Sequence, residues 1–180
     1  TRFPIASMTK PFTAMGAAIL VDEGLLNWDQ PIRDVLPDFR LYDDYATSHA
    51  TLRDLLSHRT GLPRHDATWH GTGKTRQALF DGLRHLKPNA DFRTLWQYNN
   101  LMYEVVGLLC ARVSGADSWE DFIQSRVIDP LGLASTTANA EPAGSTRFED
   151  IALPYRLKNG ESAPERVPVY NNPLGPAGSI

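Results

Sequence analysis

"FPIASMTKPFTA", residues 3–14, decides how this chain is read. Ser7 and Lys10 stand three residues apart, and Pro11 follows the lysine directly. Small and apolar residues continue to Val21, before Asp22, Glu23 and Gly24. That pattern predicts a helix from Ser7 to Glu23, closed by the glycine. Pro11 complicates its start: with no N–H and a ring set against the carbonyl four residues back, it leaves the first turn distorted or 3₁₀-like. Residues i and i+3 share one helix face with Cβ atoms about 5–6 Å apart. The lysine amine can then reach the serine hydroxyl, a weak nucleophile until a neighbour takes its proton. The positive end of the helix dipole helps stabilise developing negative charge there. The same spacing has a plainer reading, in which Ser7 only starts a helix. Roughly one S-x-x-K match arises by chance in a chain of this size.

Working outward, the coarse pattern is helical. A short turn is expected between Pro31 and Pro37. Thr51-Leu52-Arg53-Asp54 reads as a capping box, with Asp at its last position, opening a helix through Ser57. Residues 58–66, "HRTGLPRHD", read as loop, and Lys74 to Leu86 as a helix. Asn99 to Val113 carries Leu101, Val105, Leu108 and Leu109 at helical spacing and is ended by Gly115. Ser118 caps a further helix through Ile128. Near the end, Asn159-Gly160 between two extended runs signals a hairpin, and Pro164 and Pro168 make an edge or irregular strand of it. No βαβ alternation is evident, so the class is α+β with the sheet largely missing.

A second chemical candidate is Tyr98-Asn99-Asn100. A phenol near a cationic lysine has its pKa lowered from about 10 and can act as a base. An asparagine amide both donates and accepts. Tyr170-Asn171-Asn172 repeats the tripeptide, but Pro173 follows it and the hairpin precedes it, where such residues serve turns. Context favours Tyr98, at the mouth of a long apolar helix.

Four stretches, "FPIASMTKPFTAMGAAILVDEGLLNWDQPI", "ATLRDLLSHRTGLPRHD", "WQYNNLMYEVVGLLCARVSG" and "VIDPLGLAST", together resemble the serine β-lactamase/penicillin-binding protein superfamily. The resemblance is to its class C-like branch of esterases, D-aminopeptidases and D-alanyl-D-alanine carboxypeptidases. The blocks occur in that family's order over almost the whole chain. The resemblance implies a β-lactamase/transpeptidase-like fold and an acyl-enzyme mechanism on a β-lactam, peptide amide or ester carbonyl. It maps the nucleophile to Ser7, the general base to Lys10 and Tyr98, and a substrate- and lysine-holding amide to Asn100. It implies a small-molecule or peptide substrate and neither cofactor nor metal. The Ser7 N–H would form half of an oxyanion hole. The family's third motif, a K-T-G or H-x-G triplet on a strand, is not visible. Residues 1–180 are therefore expected to be an internal fragment of one such domain, with the triplet beyond Ile180. Localisation and oligomeric state are not legible. A non-catalytic relative that uses the fold for binding or assembly is the alternative, against which the full Ser7, Lys10, Tyr98 and Asn100 set speaks.

Other classes are weaker. "HGTGKT" at 70–75 would need a glycine at position 68 to match a phosphate loop, and Thr68 stands there. His65, Asp66 and His70 match no zinc spacing. His58 reads as a hydrogen-bonding residue between helix and turn, and Cys110 as core. Trp69 and Trp96 read as packing residues, with lining a substrate cleft as the other role. With 18 basic and 21 acidic residues, net charge is −3, which disfavours nucleic acid as a partner. The longest nearly uncharged run, Pro11 to Val21, is too short to span a bilayer. One cysteine excludes an internal disulfide framework.

Overall fold

The 15-residue helix α6, Asn100–Ser114, is buried on nearly every side from Asn100 to Gly107. A helix with no exposed stripe must lie at the centre of its layer. In this computed structural model, which describes residues 1–138, 152, 155–158, 161–164 and 174–180, it does so. Around it pack α1 (Lys10–Asp22), α4 (Leu52–Leu56), α5 (Arg76–Gly82), α7 (Trp119–Ile123) and α8 (Gly175–Gly178). Short helices α2 (Ile32–Val35) and α3 (Asp44–His49) pack together at one side. Strands β1 (Tyr155–Lys158) and β2 (Glu161–Pro164) pair antiparallel with Lys158 opposite Glu161. They form the hairpin expected there, although the Asn159-Gly160 turn itself lies outside the described residues. So does Tyr170-Asn171-Asn172. Among the described residues this is the only sheet, and no helix is long and apolar enough to cross a membrane.

Local signals explain where the helices begin. Asn99 caps α6, its side chain accepting from the Met102 N–H, and Gly115 ends it at φ +73°, a left-handed position that glycine adopts without strain. Thr51 and Asp54 form the full capping box of α4. Thr75 and Ser118 cap α5 and α7. The expected helix over Lys74–Leu86 is shorter, α5 passing into a 3₁₀ turn at Leu83–His85. The expected helix from Ser118 to Ile128 divides into α7 and a π-helical turn, Gln124–Ile128. Helix α3, capped by Asp43, and helix α8 were not anticipated.

The first helix begins as its proline dictates. Residues Ala6–Thr9 form a 3₁₀ turn and α1 starts at Lys10. The N–H four residues after Ser7 would belong to Pro11, which has none. The Lys10 N–H, three residues on, bonds the Ser7 carbonyl instead. Leu20 and Ala17 of α1 are fully buried. Gly16 allows close approach to α7, since a Cβ there would stand 2.7 Å from the Phe122 ring.

Candidate active site

Ser7 is exposed at the N-terminal end of this 3₁₀ turn, just after Ala6, whose φ of +47° is a strained left-handed value for a residue with a Cβ. The Ser7 N–H makes no hydrogen bond among the described residues. The Tyr98 hydroxyl donates to Ser7 Oγ at 2.6 Å. Lys10 Nζ stands 3.4 Å from the same oxygen. Two shorter bonds hold the lysine, to Asn100 Oδ1 at 2.8 Å and to the Ala177 carbonyl at 2.9 Å. The fold thus brings together all four residues singled out in the sequence: Ser7, Lys10, Tyr98 and Asn100.

Lys10 is 6% exposed. Burial, the largest influence, drives its pKa below the ordinary lysine value. The Tyr98 hydroxyl opposes this, the Arg64 charge adds to it, and Asp66 weakly opposes. All three hydrogen-bond partners of Nζ are neutral. A charged ammonium fills all three with its three protons. A neutral amine would keep the two short bonds and turn its lone pair towards Ser7, the longest contact.

Tyr98 is held by a clamp the sequence only partly revealed. His58, at φ +59°, takes the Gln97 N–H on its carbonyl at 2.9 Å and the Asn99 N–H on Nδ1 at 3.2 Å. Gln97 and Asn99 side chains bond the carbonyls of Gly61 and Pro63. The His58 ring lies 4.8 Å from that of Tyr98. Burial, with the Lys10 charge adding to it, pushes His58 down to about 4, so it stays neutral and Nδ1 stays an acceptor. Its structural role matches the sequence reading. Trp69 packs against the core, whereas Trp96 is 64% exposed beside His58 and Tyr98. For Trp96 the packing role expected of it therefore does not hold.

The carbonyl of Ala177 has no signature in sequence, because its contribution is backbone alone. Its segment is anchored at several points. Thr13 Oγ1 donates to the Pro176 carbonyl at 2.7 Å, the Ile5 N–H donates to the Ile180 carbonyl at 2.8 Å, and the Ile180 N–H donates to Thr9 Oγ1 at 3.0 Å. Pro176 packs on Gly107 of α6 so closely that a Cβ there would lie 2.2 Å from its ring.

Elsewhere, Asp66 pairs with Arg64 at 2.7 Å and His65 Nε2 lies 3.3 Å from the Lys87 carbonyl. No group of three His, Cys, Asp or Glu that could hold a metal occurs among the described residues. Residues 71–75 form an exposed loop. Cys110 is fully buried, its thiol pushed up to about 12 by burial.

The family model described as Beta-lactamase matches residues 1–179. Unguisins hydrolase ungD' of Aspergillus campestris is 33% identical over 96% of this chain and 34% of its own length. Penicillin-binding protein 4 of Amycolatopsis lactamdurans is 30% identical over 99% of this chain and 46% of its own. The structure of D-amino acid amidase from Ochrobactrum anthropi, complexed with L-phenylalanine amide, superposes with a TM-score of 0.77 at 26% identity. That match covers 98% of this chain and 51% of the other. The chain thus spans about a third to a half of the proteins it matches.

Proposed function

The chain belongs to the beta-lactamase family, within the serine β-lactamase/penicillin-binding protein superfamily and its fold, and on that premise we propose that it is part of one serine hydrolase domain working by acyl transfer. Ser7 is the nucleophile. The observation that carries this is the meeting of Ser7 Oγ with Tyr98 at 2.6 Å and Lys10 at 3.4 Å, from segments 91 residues apart. A chance S-x-x-K has no reason to meet a phenol so placed.

Ser7 Oγ bonds to the substrate carbonyl carbon while its proton passes to Tyr98 or Lys10, whichever is unprotonated. The two hydroxyls share one hydrogen bond, and either can be its donor. The oxygen of the tetrahedral intermediate takes up negative charge beside the unpaired Ser7 N–H. Collapse expels the leaving group, which receives the proton, and an ester to Ser7 remains. Water then attacks that ester, giving its proton to the same base, which passes it to Ser7 Oγ as the Oγ–carbon bond breaks and the acid product leaves. Asn100 fixes Lys10 through Oδ1. Its Nδ2 makes no hydrogen bond among the described residues, which supports a role donating to a substrate carbonyl oxygen. The substrate class is a β-lactam, peptide amide or ester.

The test is intact mass of the full-length protein after incubation with a penicillin and, separately, with an activated ester, beside Ser7→Ala. A Ser7-dependent adduct with penicillin, or Ser7-dependent ester turnover, is expected. Neither adduct nor turnover from folded protein would overturn the catalytic role and favour a binding relative.

A further inference from the structure

Arg64 follows Pro63 in the loop that clamps Tyr98. Its guanidinium carbon stands 5.0 Å from the centroid of the Tyr98 ring. Its Nε donates to Asp66 Oδ2 at 2.7 Å. Asp66 is itself fixed at the start of a 3₁₀ turn, Asp66–Thr68, with its other carboxylate oxygen buried. The arginine is thus held at two places, yet 58% of its side chain is exposed. Among the described residues its terminal nitrogens make no hydrogen bond.

We propose that Arg64 is a specificity-determining residue that selects substrates bearing a carboxylate close to the carbonyl attacked by Ser7, an inference that rests on the acyl-transfer reading of the site. The guanidinium fork matches carboxylate geometry, and its charge never leaves it. Packing on Tyr98 and the bond to Asp66 set its direction in advance, so little freedom is lost when an anion binds. Position follows from Tyr98: its ring lies beneath the guanidinium and its hydroxyl touches Ser7 Oγ. Tyr98 is thus a shared contact of Arg64 and Ser7, which puts a carboxylate on Arg64 beside the site of attack. Charge balance points the same way. The hydrogen-bond partners of Lys10 are all neutral, and the nearby carboxylate of Asp66 is taken up by Arg64. With Lys10 protonated, the site carries a positive charge that an anionic substrate offsets.

The experiment compares two acetate esters, 4-acetoxybenzoate and 4-acetoxybenzamide, which differ in a carboxylate against a neutral amide. The kcat/KM for each, corrected for uncatalysed hydrolysis, is measured with the full-length protein, Arg64→Ala and Arg64→Lys. The parent should favour the carboxylate ester by about fivefold or more, Arg64→Lys should keep part of that ratio, and Arg64→Ala should bring it near one. An equal ratio in parent and Arg64→Ala would overturn the proposal, even if both rates drop, because Arg64 would then only support Tyr98. If neither ester turns over, equilibrium binding of 4-acetoxybenzoate to Ser7→Ala decides. Binding lost in the Ser7→Ala, Arg64→Ala double variant keeps the anion site, and acyl transfer is then decided by the penicillin and activated-ester experiment. Binding that is absent or independent of Arg64 overturns the anion site.

Discussion

His58 shows how one buried side chain supports a site it does not join. Its Nδ1 accepts the Asn99 N–H, and its carbonyl accepts the Gln97 N–H, on either side of Tyr98. Protonation would turn that acceptor into a donor facing a donor. The folded pKa of about 4 lies below the ordinary value near 6.5, so the unfolded chain binds more protons between them. Stability from this group is therefore complete above about pH 6.5 and is lost as pH falls through about 4. Denaturant midpoints of the full chain at pH 4 and pH 7 should differ more than those of His58→Asn. Equal differences would mean that His58 does not titrate as its burial implies. At the same scale, Lys10 shows that a buried amine can be held by neutral hydrogen-bond partners. Two of its three bonds come from an amide and a carbonyl, which orient the amine without adding a counter-charge.

Among the elements, α8 and α6 are the pair on which the site's geometry depends. Helix α6 brings Asn100 to Lys10 from one side, and α8 brings the Ala177 carbonyl from another. The two touch where Pro176 lies on Gly107. Because the proline ring cannot move away as a flexible chain end would, Gly107→Ala forces the helices apart. The substitution should cost about 1–3 kcal/mol, as overpacking does. It should also lower kcat more than KM rises, since Lys10 loses alignment while the substrate still binds. Thermal unfolding and steady-state kinetics of the full chain check both parts. An Ala variant with parental stability would show that the contact is loose. The 3₁₀ start of α1 is the complementary case. Its local cause lies within five residues, at Pro11, and the Ile180 segment then bonds to it.

On the scale of the whole molecule, Arg76, Glu104 and Glu120 tie α5, α6 and α7 together beneath α8. Arg76 forms a two-pronged pair with Glu120, one prong at 2.7 Å. Glu104 lies near the same guanidinium at 3.2 Å, but neither of its oxygens gains a hydrogen bond among the described residues. Burial pushes its carboxyl up to about 8, against the pull of Arg76. This folded value lies above the unfolded one of about 4.3, so the folded state holds the extra proton between them. Stability from Glu104 is present below about pH 4.3 and is lost as pH rises through about 8. Glu104→Gln, which mimics the protonated form, should gain stability relative to the parent between pH 5 and 8. Denaturant midpoints of both proteins across that range check this, and a constant difference would place the charge on Glu104 throughout.

Sequence alone determined what short-range chemistry governs: the capping box at Thr51, the Gly115 stop, the 3₁₀ turn before Pro11 and the central helix after Asn99. The Ser7 and Lys10 pair was legible too, because one helix turn sets the distance between them. Tyr98 and Asn100 could be named, yet only the tertiary structure decided that they meet Ser7 and Lys10 rather than pointing elsewhere. It alone supplied the Ala177 carbonyl, the Arg64 guanidinium over Tyr98, the exposed edge of Trp96 and the buried carboxyl of Glu104. The physical reason is range. A cap, a proline or a left-handed glycine acts within four or five residues, where covalent geometry fixes distance. A contact between Lys10 and Ala177 depends on how a whole core packs, and a carbonyl carries the same chemistry at every position until packing selects one.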